Sequence, residues 1–158
     1  LINSTIVILA GDHGEEFYEY GYYGHSGAFT STQMGTPLVI HYPNVKAKEI
    51  SRLTSHYDVP ATILDLLGNK APATSYSLGS SLLSEDPKTF RHYAFACTFN
   101  YCGTRTNDMI YVFGNNEQYM WSFSTLDLKY RDLPQNSELA KKNTHYLRQS
   151  LIDMSAFY

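Results

Sequence analysis

Gly11-Asp12-His13-Gly14 sets a carboxylate beside an imidazole, directly after a run of apolar residues. An oxygen donor next to a nitrogen donor makes half of a coordination shell for Zn²⁺ or Mn²⁺. Adjacent side chains on a regular strand point to opposite faces and cannot share one ion. A glycine on either side lets the backbone leave the strand, so both groups can turn toward one place. Glu15 and Glu16 follow at once and add negative potential. A bare Asp-His pair is more often a turn cap beside a loop histidine, because short motifs match by chance. The surroundings of this pair therefore decide its meaning.

Further along, His25 lies in a Gly-, Tyr- and Ser-rich stretch, with the hydroxyls of Ser26 and Thr30 nearby in sequence. Neither hydroxyl has the setting of a nucleophile. His41 alternates with apolar neighbours in a strand and reads as structural. His56 precedes a helix, where packing or helix entry explains it as well as chemistry does.

The elements that must position these residues are legible in outline. Ser4–Ala10 is an unbroken, β-branched apolar run ending at Gly11. It predicts a strand buried on both faces of a mainly parallel sheet, with Asp12 and His13 at its carboxyl end, where open α/β sheets gather their ligands. Residues 14–35 read as a long loop opening with a short helix over Glu15–Tyr20. Pro37–Tyr42 reads as a second buried strand. Asp58 as N-cap, Pro60 in the first turn and Gly68 past the end delimit a helix with Val59, Ile63, Leu66 and Leu67 on its inner side. Residues 69–88 form a surface loop. Short β segments follow at Tyr93–Phe99, Asp108–Phe113 and Gln118–Ser124, with Gly103 and Gly114-Asn-Asn as turn signals. A final helix from Ser137 to about Met154 is expected to bury Leu139, Tyr146, Leu147, Leu151 and Met154.

Composition bounds the reading. The 158 residues, 43% hydrophobic and 17% charged, suffice for an ordinary domain with a core. No stretch approaches the roughly 20 apolar residues of a transmembrane helix. A net charge of −3 gives no reason to expect nucleic acid. The 14 tyrosines suit an aromatic-rich core, and also carbohydrate or lipid-headgroup contacts. Cys97 and Cys102 are spaced for a small disulfide loop in an oxidising compartment, or stand as two thiols. The chain opens inside what reads as a core strand, without Met, and so is expected to be a fragment of a longer polypeptide.

Ile6-Val-Ile-Leu-Ala-Gly-Asp-His-Gly-Glu-Glu16 resembles the late metal-ligand strand of the alkaline-phosphatase/sulfatase superfamily. The resemblance continues through Tyr22-Tyr-Gly-His-Ser-Gly27 and Gly35-Thr-Pro-Leu-Val-Ile-His-Tyr-Pro43. It then takes in Leu53-Thr-Ser-His-Tyr-Asp-Val-Pro-Ala-Thr-Ile-Leu-Asp-Leu-Leu-Gly68. It is ordered and specific over residues 1–83 and thin beyond, where Leu126-Asp-Leu-Lys-Tyr-Arg-Asp-Leu133 loosely resembles a C-terminal segment of the family. Bacterial membrane-anchored, periplasm-facing members, including those similar to phosphoethanolamine and phosphoglycerol transferases, are the nearest in kind.

The resemblance implies an α/β fold: the C-terminal part of a mainly parallel sheet with helices over residues 1–90, then a small antiparallel sheet and a C-terminal helix of the same domain over 91–158. It implies Asp12 and His13 as ligands of a divalent metal, Zn or Mn before Ca or Mg, beside a Thr or Ser nucleophile. It implies that His25 contacts the transferred phosphoryl or sulfuryl group, or a second metal. Sulfatases of the family usually carry Asp-Asn where this chain has Asp-His, which favours phosphoester or phosphotransfer chemistry over sulfate hydrolysis. The early acidic ligand and the nucleophile have no match in these residues, so the chain by itself is expected to be inactive and to depend on the upstream part of its polypeptide. The implied substrate is an envelope-lipid headgroup or a similar small phospho- or sulfo-ester. The implied location is a periplasmic or extracellular face, with a membrane anchor outside this chain. The rival expectation is a non-catalytic sulfatase-like sensor that binds lipid or a protein partner, with Glu16, Tyr18, Tyr22 and Tyr23 lining its recognition surface.

Overall fold

The computed structural model describes residues 2–26, 28–114, 120–125 and 137–156. They form two compact units, one ending at Glu49 and one beginning at Ile50. The architecture is mixed α/β, with small antiparallel sheets and a C-terminal helix. No helix among the described residues is long and apolar enough to cross a membrane.

In the first unit, strands β1 (Val7–Ala10) and β4 (Leu38–His41) pair with Val7 opposite His41 and Ala10 opposite Leu38. Both lie where the apolar runs predict strands, but they pair antiparallel, and no parallel pair occurs among the described residues. Nor is the pair buried on both faces. Ile8 and Ile40 are half-buried, while Val7, Leu9 and Val39 are 46%, 66% and 57% exposed. An apolar run without alternation needs cover on two sides, and one partner strand is what the described residues bring to it.

The connection between these strands is more ordered than the sequence predicts. In place of a helix over Glu15–Tyr20 there is a ribbon of two short strands, β2 (Glu16–Phe17) and β3 (Tyr23–Gly24), then a single helical turn, α1 (Ser31–Met34). The chain reverses at Tyr18 (φ 69°) and Gly21 (φ 94°). The Tyr18 amide donates to the Tyr22 carbonyl at 2.8 Å and the Gly21 amide to the Tyr18 carbonyl at 3.3 Å. Inside the turn, the Glu16 carboxylate accepts the amides of Tyr20 and Tyr22 at 3.0 and 3.1 Å. Capturing these donors satisfies the backbone without helical bonds.

In the second unit, α2 (Asp58–Leu66) ends before Gly68, whose φ of +81° is the left-handed conformation that closes helices. Its N-cap is Tyr57, one residue before the expected Asp58. Its buried residues are Asp58, Ala61 and Thr62, whereas Leu67 is 68% exposed. A buried ion pair turns the polar side inward. The Arg91 guanidinium meets the Asp58 carboxylate at 2.7 and 3.2 Å, and the amides of Ser55 and Ser80 complete its shell at 2.8 and 2.9 Å. Gly79 passes so close that a Cβ would stand 1.8 Å from the Tyr57 carbonyl oxygen.

Strands β5 (Ala94–Cys97), β6 (Tyr101–Arg105), β7 (Met109–Gly114) and β8 (Met120–Ser124) form an antiparallel meander. β5 and β8 fall within predicted segments, and β7 overruns its segment by Gly114, which the sequence reads as a turn. The fourth, β6, was concealed because Gly103 reads as a turn, yet it sits mid-strand between Ala96 and Val112. Cys97 and Cys102 are directly opposed and joined by a disulfide. Helix α3 (Glu138–Ser155) starts at Ser137, which accepts from the Ala140 amide at 3.2 Å. Its buried residues are Ala140, Asn143, Leu147 and Ser150, so Leu147 alone of the expected set is buried and Leu151 is 44% exposed. Small side chains bring the helix close to the sheet: Met109, Tyr111, Ala140 and Leu147 form a core, and the Ser150 and Thr104 hydroxyls meet at 2.6 Å. Leu126–Leu133 lies outside the described residues.

Candidate functional site

Asp12 and His13 occupy a bend at the carboxyl end of β1, where the sequence places them. The strand pairing runs one step further, the Gly11 amide donating to the Pro37 carbonyl at 3.2 Å, before the chain turns away. Gly14 is needed for room rather than for unusual backbone angles. Its amide donates to the Gln33 carbonyl at 2.8 Å, and a Cβ there would lie 1.9 Å from the Thr32 carbonyl oxygen.

The imidazole of His13 is oriented by its own loop. Its Nδ1 lies 2.9 Å from the Gly14 carbonyl oxygen, which can only accept, so Nδ1 carries the proton. Nε2 lies 3.7 Å from Asp12 Oδ2. Two donor atoms on a tetrahedral Zn²⁺ at about 2.0–2.1 Å stand roughly 3.3 Å apart, so this pair would have to close slightly to share an ion. A histidine ligand whose other nitrogen donates to a carbonyl is the usual outer-shell arrangement of metal sites. Asp12 is highly exposed. Hydrogen bonds from its own amide and from that of His13, followed by the nearby imidazoles, hold its carboxyl below the usual range.

His25 is brought to the same place by the ribbon. Its ring stacks on His13 with centroids 4.0 Å apart, and its Nδ1 lies 3.0 Å from Glu15 Oε2. The carboxylate makes Nδ1 the donor and leaves Nε2 open. The ligand atoms of His13, Glu15 and His25 lie within 4.8 Å of one another, all on exposed residues. Oxygen and imidazole are donor types that suit a divalent cation, but a span of up to 4.8 Å would have to close for all three to share one ion. Glu15 is thus a closer participant than its sequence position suggests. Its reach to His25 depends on a reversal of the chain that composition does not announce.

Glu16 has a different fate from its neighbour. It is fully buried and accepts five hydrogen bonds, from the Tyr20 and Tyr22 amides, the Thr30 and Thr32 hydroxyls and the Gln33 amide. Burial pushes its carboxyl up, but the Thr30, Tyr22, Tyr20 and Thr32 donors outweigh that and hold it below the usual range. The Thr30 hydroxyl is committed to this network, in keeping with its lack of nucleophile setting. His41 is exposed on β4, and His56, also exposed, belongs to the second unit.

Comparison with known proteins bears on what this arrangement is. Residues 2–69 match the sulfatase family model. Over 84 residues, the chain is 33% identical to the inner membrane protein YejM of Salmonella typhimurium and to that of Salmonella typhi, a match covering 52% of this chain and 14% of each relative. A crystal structure of a protein provisionally assigned as a sulfatase, from Bacteroides thetaiotaomicron, shares the fold with a TM-score of 0.70 at 18% identity, over 96% of this chain and 36% of that one. The family match over residues 2–69 makes this part of the chain similar to the sulfatase family, and the shared fold is in keeping with that likeness.

Proposed function

We propose that this chain contributes the Asp12–His13 half of a divalent-metal site in a phospho- or sulfo-ester hydrolase or transferase, with His25 facing the transferred group. The observation that carries the reading is the placing of His13, with Nδ1 on the Gly14 carbonyl and Nε2 3.7 Å from Asp12 Oδ2, and with His25 stacked alongside. A metal bound there supplies Lewis acidity, lowering the pKa of a hydroxyl nucleophile and offsetting charge on the ester oxygens. The chain's own residues orient it: Gly14 holds His13, Glu15 holds His25, and Nε2 of His25 is left to hold or deliver a proton at a nonbridging oxygen or leaving group. The reading assigns the nucleophile to parts of the protein outside the matched segment, which spans 14% of the curated relatives' length.

Phosphoesters are favoured over sulfate esters because of the Asp-His pair, and envelope-lipid headgroups or similar esters are the proposed substrates. The relatives named as inner membrane proteins support a membrane-anchored parent, and the Cys97–Cys102 disulfide supports an oxidising, periplasmic face. Elemental analysis of the full-length protein beside its Asp12→Ala variant tests the reading. Near-stoichiometric zinc or manganese that vanishes in the variant is expected. A metal-free protein would leave the non-catalytic, ligand-sensing reading in its place.

A further inference from the structure

The hairpin that joins β5 to β6 carries the most exposed large apolar side chain among the described residues. Phe99, at its tip, is 95% exposed, and Tyr101 is 40% exposed. A lone exposed apolar residue needs no explanation, but the position of this one does. Phe99 and Asn100 form a two-residue loop, where hairpins use glycine, asparagine or aspartate to reach positive φ. Neither residue takes positive φ here. The turn is closed by other means. Cys97 and Cys102 are joined beneath it by the disulfide, the Thr98 amide donates to the Tyr101 carbonyl at 2.7 Å, and the Tyr101 amide donates to the Thr98 hydroxyl at 3.2 Å. Residues 94–104 include no charged side chain, in a chain that is 17% charged. The tip is therefore a stiff, uncharged, aromatic projection. The two amides that close it are already paired, so leaving water strands neither of them.

We propose that the Phe99 tip docks the unit that begins at Ile50 against the surface of the lipid bilayer holding the parent protein, with the Phe99 ring at headgroup depth. The inference rests on the membrane-anchored reading above and names where the chain touches that membrane. Area selects lipid over a protein partner. A Phe and a Tyr side chain offer roughly 150–250 Å² each, well short of what each partner commits to a standard protein interface, about 800 Å². A bilayer needs no such matched area. Aromatic residues concentrate at its headgroup level, where Asn100 and the loop peptides keep their water. Burying one aromatic ring is worth roughly a ten- to hundredfold gain in partitioning. That is too little to recruit a free protein. Tethering converts docking into an intramolecular step, and a gain of this size then decides it. The disulfide keeps the tip from splaying, so the ring enters at little further entropic cost.

Photo-crosslinking tests this on the full-length protein in vesicles of phosphatidylethanolamine and phosphatidylglycerol. The photoreactive analogue p-benzoylphenylalanine replaces Phe99 in one sample and, as a control, Lys88 in another. Both side chains are exposed, so either position takes the analogue without repacking. After irradiation, mass spectrometry reads the lipid adducts at each position. Adducts at position 99 are expected to exceed those at 88 about tenfold. Equal yields at the two positions, or no lipid adducts at 99, overturn the docking while leaving the anchored parent standing. Adducts at 99 to a protein in place of lipid also overturn it and assign the tip to a protein partner. Recovery of the full-length protein apart from the vesicles overturns the anchored reading and the docking with it.

Discussion

At the scale of single residues, two neighbouring glutamates show how environment sets role. Glu15 remains in solvent and reaches His25, whereas Glu16 is buried and organises the turn. The Glu16 carboxyl lies below its ordinary value of 4.5 in the folded protein. A depressed carboxyl contributes stability that is complete above the unfolded value and is lost as pH falls through the folded one. Glu16→Gln is therefore expected to cost roughly 2–3 kcal/mol at neutral pH and to flatten the acid side of the stability curve below pH 4.5. Urea denaturation across pH 3–7 measures both, and an unchanged acid limb would refute the assignment. His13→Asn should weaken zinc or manganese binding in the full-length protein, as read by competition with a chelating dye, because an amide oxygen is a poorer donor than the oriented Nε2. The Asp-His pair and His25 were legible in the sequence; the part played by Glu15 was not, since it depends on a ribbon closed by donors far downstream.

At the scale of elements, α2 is held by a buried charge pair rather than by an apolar stripe. Asp58 and Arg91 are both nearly inaccessible, and the carboxylate accepts two backbone amides besides. Removing one partner strands the other, so Asp58→Ala is expected to destabilise the unit by about 3–5 kcal/mol, with Arg91 left uncompensated. Thermal unfolding monitored by circular dichroism checks this, and a loss below 1 kcal/mol would mean that the pair is solvated in solution. Reducing Cys97–Cys102 should cost about 2 kcal/mol, the loop-closure value for so short a ring. Denaturation with and without reductant is the measurement. Periodicity located α2 and α3 and found Leu147 and Leu139 on the core side of α3, but it missed the polar residues that are buried with them. Hydrophobicity counts apolar area, while these interfaces are filled by Thr62, Asn143 and Ser150, which pair with groups distant in sequence or with their own helix backbone.

For the molecule as a whole, the exposed face of β1 and β4 has a consequence. Val7, Leu9 and Val39 form an apolar surface on a two-stranded sheet, the kind of surface that folded proteins cover. The isolated 158-residue chain is expected to bind a hydrophobic dye strongly, and Leu9→Lys to reduce that binding several-fold. In the full-length protein the same face is expected to be protected from dye. Equal dye binding by the isolated chain and its Leu9→Lys variant would show that the face is already covered.

Local chemistry along the chain was enough to locate most of its strands and its longer helices, β1, β4, α2 and α3 among them, and to mark Asp12, His13 and His25 as candidates. These depend on runs of side-chain type and on glycines that neighbouring backbone crowds, as at Gly14. The tertiary structure decided the pairing direction of β1 and β4, the ribbon in place of a helix after Gly14, the identity of β6 and which glutamate faces the histidines. Each of these turns on which distant donor, strand or ring satisfies a group, and a hydrogen bond such as Thr30 to Glu16 or a ring stack such as His13 on His25 exists only once the chain has folded back.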